Sequence, residues 1–194
     1  MLKKMVVLCC YFILLNAYAV DPNDLAKLEK IISKSNTKGL DLSHADLRSY
    51  QFVEGKVDLQ NANLSHANLS NVNLENMNLS KADLSHANLS NAILTGANLS
   101  YANLNHADLT NATMNNINLS NATLNFVTLI GASLQQSNLT KADFSCANFN
   151  NANLSKANFS ETVISNATFT NTITNDITNY DSVIDDRVSC SGFK

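Results

Sequence analysis

A leucine, or another apolar residue in its place, occurs at every fifth position of this chain from Leu59 to Phe169, which makes 23 consecutive positions in one register. A small residue, usually alanine, precedes most of them by two positions, as Ala62 precedes Leu64. An α-helix cannot use this spacing, because five residues turn through about 500° and the apolar residues would wind around every face. A plain strand also fails, since a period of five alternates between the two faces.

The arrangement that suits this period is a short extended side followed by a corner. Over Ala-x-Leu the side chains alternate, so the alanine and the leucine point to the same side. The next two residues are polar, usually Ser-Asn, Ser-His or Ser-Lys. Asparagine tolerates a left-handed backbone and bonds its own backbone locally, which suits a corner. A chain of such sides and corners has to coil, with each coil stacked on the previous one by strand-like hydrogen bonds.

The segments Ala62-Asn63-Leu64-Ser65-His66 and Ala82-Asp83-Leu84-Ser85-His86 resemble units of the pentapeptide-repeat family, whose consensus is A-(D/N)-L-x-x. The resemblance covers residues 40–172. It implies an all-β fold, a right-handed quadrilateral β-helix with four pentapeptides per coil and the Leu/Phe and Ala positions inside. The sequence supports four units per coil independently, because His66, His86 and His106 recur in the same slot of every fourth pentapeptide.

One break in the register is informative. Leu42, Leu47 and Phe52 keep the spacing of five, but Phe52 and Leu59 are seven residues apart. We place the two extra residues at Gly55-Lys56, where glycine relieves strain in a bulge. With that bulge, His44 stays in one column with the histidines that follow.

The N-terminus has the pattern of a secretory signal. Lys3 and Lys4 precede the apolar stretch 5–15, and Ala17-Tyr18-Ala19 is a small-x-small cleavage site. We expect residues 1–19 to be a signal peptide cleaved between Ala19 and Val20, and the product to be periplasmic or secreted, in a bacterium. An uncleaved anchor is the alternative, but eleven apolar residues are short for a bilayer. A lipoprotein is disfavoured because no small residue precedes Cys9.

Removal of residues 1–19 leaves 11 basic and 16 acidic residues, a net charge of −5. This mild acidity argues against nucleic-acid binding. We also expect no membrane span after signal removal.

The two ends of a solenoid need caps. Asp21 and Pro22 predict a helix start, so we interpret residues 20–39 as an N-terminal capping segment with a helix over 22–35. After Phe169 the five-residue register is expected to dissolve, which leaves residues 173–194 as a C-terminal cap or tail. The apolar residues of this tail also permit a homodimer through the C-terminal end.

Two cysteines, Cys146 and Cys190, remain after signal removal, and an even count in an exported protein suggests a disulfide between them. Two free thiols are the alternative, since pairing depends on geometry that a sequence does not contain.

The sharpest candidate site is a column of histidines, His44, His66, His86 and His106, which continues in the same slot through Phe126 and Cys146. Imidazoles about 4.8 Å apart on neighbouring coils could share a metal or charge together as a pH sensor. Incidental surface histidines, copied by coil duplication, are the simpler interpretation. A second column, in which every residue except Gly131 is asparagine, predicts a ladder of side-chain amides that serves stability or offers a sugar- or peptide-binding face: Asn71, Asn91, Asn111, Gly131, Asn151 and Asn171.

No constellation of residues predicts catalysis, because neighbouring corner residues such as Ser65 and His66 point in different directions. We therefore expect no enzyme and no cofactor, but a rigid exported scaffold or protein-interaction surface with an unidentified protein partner. Some members of the pentapeptide-repeat family resemble duplex DNA and act on DNA gyrase, so a gyrase-binding DNA mimic is the alternative that the resemblance implies. Metal or pH sensing by the histidine column is the third hypothesis.

Overall fold

The computed structural model describes residues 39–48, 50–52 and 57–183. Over these ranges the chain forms a β-helix in which parallel bridges join residues one coil apart, such as Asn63 to Asp83 and Asn118 to Asn138. The bridged residues are four pentapeptides apart in the sequence, which confirms the predicted number of units per coil. The first described coil is two residues longer than the others. Asp41 bridges to Asn63, whereas the next bridge on the same side joins Asn63 to Asp83. This longer coil confirms the effect of the predicted insertion, although Gly55 and Lys56 themselves lie outside the described residues.

A typical pentapeptide satisfies all five of its backbone N–H groups, as the repeat from Ala82 to His86 shows. The Ala82 N–H closes a β-turn by donating to the carbonyl of Leu79 at 3.0 Å. The next residue, Asp83, donates to the previous coil, and Leu84 and His86 donate to the next coil at 2.7 and 2.9 Å. The Ser85 N–H donates to Oδ1 of Asp83 at 3.0 Å. Because buried backbone donors need partners, this scheme explains how a chain without long strands holds a compact shaft.

The corners use the left-handed backbone that the sequence predicts. The second corner residue of almost every repeat has a φ near +60°, including His66 (59°) and Asn71 (62°). Gly96 and Gly131 take the same conformation at φ +69°. Asparagine is the commonest residue at these positions, because it tolerates the left-handed conformation better than most residues other than glycine.

The core consists of the residues at the Leu and Ala positions, as predicted. Leu64, Leu84 and Leu104 have no exposed surface. Towards the C-terminal end phenylalanine replaces leucine, and Phe149 lies 5.0 Å from both Phe144 and Phe169 between ring centroids. The shaft therefore has one continuous apolar interior.

Serine and threonine also occupy the Ala position, which the Ala-x-Leu pattern does not predict. The Ser137 hydroxyl donates to the carbonyl of Met114 at 2.9 Å, and the Thr162 hydroxyl donates to that of Leu139 at 2.8 Å. Both side chains are fully or almost fully buried. No buried side-chain nitrogen or oxygen of the described residues lacks a partner, so these hydroxyls cost the core little.

The coil extends further than expected at its C-terminal end. Residues Ile173 and Thr178 still bridge to the coil before them, so the boundary at residue 172 is too early. The coil continues because its hydrogen bonds join backbone atoms and do not depend on a leucine at each inner position. A 3₁₀ helix, Tyr180–Ser182, follows, and the Tyr180 ring lies 6.2 Å from that of Phe159.

The expected signal peptide (1–19), the capping helix (22–35) and the last residues of the tail lie outside the described residues. Within the described ranges, no helix is long and apolar enough to cross a membrane.

Candidate functional site

The predicted histidine column exists, and its rings are stacked face to face. His44, His66, His86 and His106 are separated by 4.7, 4.7 and 4.8 Å between successive ring centroids, with interplanar angles of 5° or less. Phe126 continues the stack at 4.9 Å from His106. We call these five residues the aromatic column. Its regularity follows from the corner backbone, because each of the five residues has a φ of 58–60°.

This stacking does not bring ligands together around a metal ion. The lone pair of an imidazole nitrogen lies in the plane of its ring, and zinc binds at about 2.0–2.1 Å from it. Planes that are parallel and stacked at 4.7–4.8 Å direct their lone pairs alongside one another instead of towards a common point. Among the described residues, no group of three or more His, Cys, Asp or Glu side chains could hold a metal.

An amide ladder is present, but on a different column from the one predicted. It lies on the residues between the Ala and Leu positions, where Asn118 Nδ2 donates to Asn98 Oδ1 at 3.2 Å and Asn138 Nδ2 donates to Asn118 Oδ1 at 3.3 Å. We call Asp58, Asn78, Asn98, Asn118 and Asn138 the amide ladder; its two remaining links are 3.4 Å long.

In the predicted column a bond joins Asn171 to Asn151 at 3.4 Å, and no other link of that kind occurs among its described members. The physical reason is that residues on an extended side stand in parallel register with those of the next coil, whereas the corner side chains project into solvent.

The short-range hydrogen bonds that shape the corners are accepted by the residue between the Ala and Leu positions, which we call the middle residue. They are not accepted by the corner asparagines. Oδ1 of Asn63 accepts the Ser65 N–H at 3.1 Å, and Oδ1 of Asp143 accepts both the N–H and the hydroxyl of Ser145, at 3.0 and 2.6 Å. These are Asx turns, which explain why aspartate and asparagine share this position. The outer surface of each side is thereby fixed to the backbone.

In two repeats whose middle residue is threonine or serine, a corner asparagine of the preceding coil accepts the backbone N–H instead. The N–H of Asn125 follows Thr123 and donates to Asn105 Oδ1 at 2.8 Å. The N–H of Gln135 follows Ser133 and donates to Asn115 Oδ1 at 3.1 Å. This substitution of one acceptor for another was not visible in the sequence pattern.

An open groove of about 610 Å³ runs beside the aromatic column. Its lining residues include His86, His106, Phe126 and Cys146 of the column, together with Asn125 and Asp143. With its amide oriented to donate, Asn125 Nδ2 lies 2.9 and 3.1 Å from the two carboxylate oxygens of Asp143. The carboxylate is therefore held in one position by donors from two coils.

Cys146 follows Phe126 in the column and is disulfide-bonded. It is the one cysteine among the described residues, so its partner lies outside them, and the predicted bond to Cys190 stays a prediction.

Charges are sparse and spread over the rod. Arg48 donates from Nη2 and Nε to the carboxylate of Asp46 at 2.6 and 2.9 Å. These hydrogen bonds hold the pKa of Asp46 below its ordinary value and raise the pKa of Arg48. Lys141 and Glu161 pair at 3.5 Å across neighbouring coils. One side of the rod has no acidic residue at its described middle positions, which are Asn73, Ile93, Thr113, Ser133, Asn153 and Ile173.

Comparisons with known proteins agree with this architecture. A trypsin-treated variant of QnrB1, a plasmid-mediated fluoroquinolone resistance protein, has a similar structure (TM-score 0.56, 21% identity), over 73% of this chain and 79% of that one. At this identity the likeness shows the fold. A pentapeptide repeat protein from the Arabidopsis thaliana thylakoid lumen matches with 26% identity and a TM-score of 0.47, over 48% of this chain and 65% of that one. No curated protein has a significantly similar sequence.

The family model described as pentapeptide repeats (8 copies) matches residues 58–96, 78–116, 117–155 and 142–173, which together cover more than half of the chain. The five-residue register, the four units per coil and this match lead to one conclusion: the chain belongs to the pentapeptide-repeat family, and its fold is a right-handed quadrilateral β-helix.

Proposed function

We propose that this protein is an exported, non-enzymatic scaffold whose rigid polar faces contact other proteins in or outside a bacterial envelope. The observation that carries the proposal is the fixing of the outer surface to the backbone. The middle side chains are held by Asx turns and, along the amide ladder, by bonds between coils. Such a surface loses little side-chain entropy on binding. The export component rests on the predicted signal at residues 1–19, and N-terminal sequencing of the native protein is expected to begin at Val20.

The four corners of one coil allow the contacting face to be located. His106, Asn111, Asn116 and Asn121 occupy successive corners, and each has a φ of 56–60°. Lysine takes the same backbone at Lys81, Lys141 and Lys156, so lysine substitution at a corner preserves the fold. We expect a surface-tagged mature chain to capture an envelope protein, and capture to be lost with substitution at one corner or two adjacent corners and kept with the others.

Equal capture by all four lysine variants would contradict a specific interface. A saturable hydrolytic or transfer activity that one surface substitution abolishes would contradict a non-enzymatic role. The gyrase-binding alternative is tested directly by supercoiling assays, in which we expect no inhibition and no protection from quinolones. The scattered acidic residues support this expectation, because a DNA mimic needs a continuous acidic face.

The aromatic column supports a pH response as a second candidate function. Histidine is the side chain typical of pH-responsive sites, and four positive charges at 4.7–4.8 Å spacing repel. Carboxylates at the middle positions on both sides of this corner oppose the repulsion: Asp41, Asp83 and Asp143 on one side and Asp46 and Asp108 on the other. We expect the double variant His66→Asn/His86→Asn to lose less thermal stability between pH 7.5 and 5 than the parent protein does. An equal loss in both proteins would remove this candidate.

A further inference from the structure

We propose that one side of the rod is a contact surface for a second copy of this chain. The side has the following middle residues, and we call it the uncharged side: Asn73, Ile93, Thr113, Ser133, Asn153 and Ile173. It does not border the corner that carries the aromatic column and Cys146. Self-association goes beyond the scaffold role, and either can fail without the other, since a monomer can still capture a different protein.

The uncharged side exposes apolar surface. Ile93 and Ile173 are 41% and 46% exposed, and they are two of the four exposed large apolar side chains among the described residues. Asn73 and Thr113 are exposed as well, whereas every member of the amide ladder is half-buried. Apolar surface at such positions is stabilised by burial against another molecule.

Unpaired backbone donors also border this side. From Gln60 to Ser160, the first corner residue of each repeat donates its N–H to a side-chain oxygen, with three exceptions. The exceptions are Thr95, Asn115 and Ile130, whose N–H groups have no acceptor among the described residues, and all three lie at corners of the uncharged side. A partner that brings acceptors to these donors gains hydrogen bonds that the single chain does not make.

The charges at the borders of this side determine how two copies meet. From Ser70 to Lys156 its two corners carry one acidic residue, Glu75, and one basic residue, Lys156. Both lie along one corner, four coils or roughly 19 Å apart, and neither belongs to an ion pair within the described ranges. When two copies meet face to face with antiparallel axes, Glu75 of each stands beside Lys156 of the other. The two-fold symmetry makes this contact twice.

The same register fits the shapes and polar groups of the uncharged side. It places Thr95 opposite Gln135 of the second copy, whose amide carbonyl suits the unpaired N–H of Thr95. It places Asn91 opposite Gly131, which has no side chain and leaves room at that corner. Ile93 lies between these two corners, so its exposed surface is buried in the contact.

The experiment is sedimentation equilibrium of the purified mature protein from about 10 μM to about 1 mM. We expect a reversible monomer–dimer equilibrium, because a contact this short is smaller than that of a permanent dimer. Lys156→Glu is expected to weaken association about tenfold, since it turns two exposed attractions into repulsions. Glutamate suits this slot, because Glu161 has the same backbone at φ 54°. The double variant Glu75→Lys/Lys156→Glu is expected to restore association, since opposite charges meet again.

Two further variants separate this side from the general surface. Lys81→Glu makes the same change, at φ 60°, on a corner that does not border the uncharged side, and it is expected to associate like the parent protein. Ile93→Asn is expected to weaken association without loss of thermal stability, because asparagine there can accept the Thr95 N–H as Asn63 accepts that of Ser65.

Three results would overturn the proposal. The first is a protein that stays monomeric at about 1 mM. The second is a dimer that Lys156→Glu weakens no more than Lys81→Glu does, which would place the contact elsewhere, such as at the C-terminal end. The third is a double variant that associates no more tightly than Lys156→Glu alone.

Discussion

Replacing Asn118 tests whether the middle asparagines hold the surface of the rod together. In Asn118→Ala the Ser120 N–H loses the Oδ1 acceptor that lies 3.1 Å away. An unsatisfied donor costs about 1–3 kcal/mol. The same change removes two links of the amide ladder, at 3.2 and 3.3 Å, each worth about 0.5–1.5 kcal/mol. Because Ser120 is only partly buried, we expect a total loss of about 2–4 kcal/mol in the free energy of unfolding.

The variant Asn118→Asp separates the two contributions. It keeps an oxygen for the Ser120 N–H and for the Asn138 amide, and it loses only the donation to Asn98. Its expected cost is about 0.5–1.5 kcal/mol. Equilibrium urea unfolding measures both values, provided that the dependence on urea concentration is unchanged. The reasoning is refuted if Asn118→Ala lies within about 0.5 kcal/mol of the parent, as an ordinary surface change would, or if both variants lose equal stability.

Four further predictions follow from single contacts. Leu104→Ala, at a position with no exposed surface, should lower the unfolding free energy by about 2–5 kcal/mol, whereas Thr123→Ala at an exposed position should change it little; equal urea midpoints would contradict this. Gly131→Ala should destabilise more than Gly131→Asn, because φ is +69° and asparagine tolerates this left-handed backbone better than alanine, while the Cβ contact with Asn111 Oδ1 at 2.5 Å is common to both variants; thermal unfolding ranks the two. Peptide mapping without reductant should find Cys146 linked to Cys190, and a different partner would refute the pairing. Arg48→Gln should raise the pKa of Asp46 in an NMR titration; in the parent, the lowered pKa stabilises the fold at pH values above the unfolded-state pKa, and this stabilisation is lost as the pH falls through the folded-state pKa.

The interior of the rod was predictable because one geometric demand repeats along the chain. Any coil of four pentapeptides must place Leu64, Leu84 and Leu104 in one buried column, and His66, His86 and His106 revealed that period directly. The left-handed corners followed from the residue types that tolerate them. The greater length of the first described coil was also predictable from the histidines. His44 falls into the column only if this coil has two extra residues, and it does stack on His66.

The hydrogen bonds between side chains and backbone were less predictable, because several columns of the repeat contain asparagine. Corner and middle asparagines look alike in sequence, but only a middle residue such as Asn63 stands where Oδ1 reaches the N–H two residues later. The extension of the coil to Thr178 was missed for a related reason. The apolar register ends where Thr174 stands at the leucine position, although the backbone bonds that join coils need no leucine.

The features that distinguish this chain from a uniform pentapeptide-repeat β-helix lie on its outer surface, where residues depart from the repeat pattern. Residues at the inner positions are constrained by packing, and the middle residues are constrained by the backbone N–H groups whose hydrogen bonds they accept. Both sets of residues are therefore explained by the stability of the fold. The second corner residues have a constrained φ but a variable side chain, and asparagine is the commonest residue among them. Phe126 adopts the left-handed conformation at φ 60° without asparagine's local compensation. It does so at the end of four stacked histidines and beside the groove that contains Asp143. Packing of the core does not require a ring at that corner, so substitution of Phe126 tests a contact of the outer surface and not the buried interior.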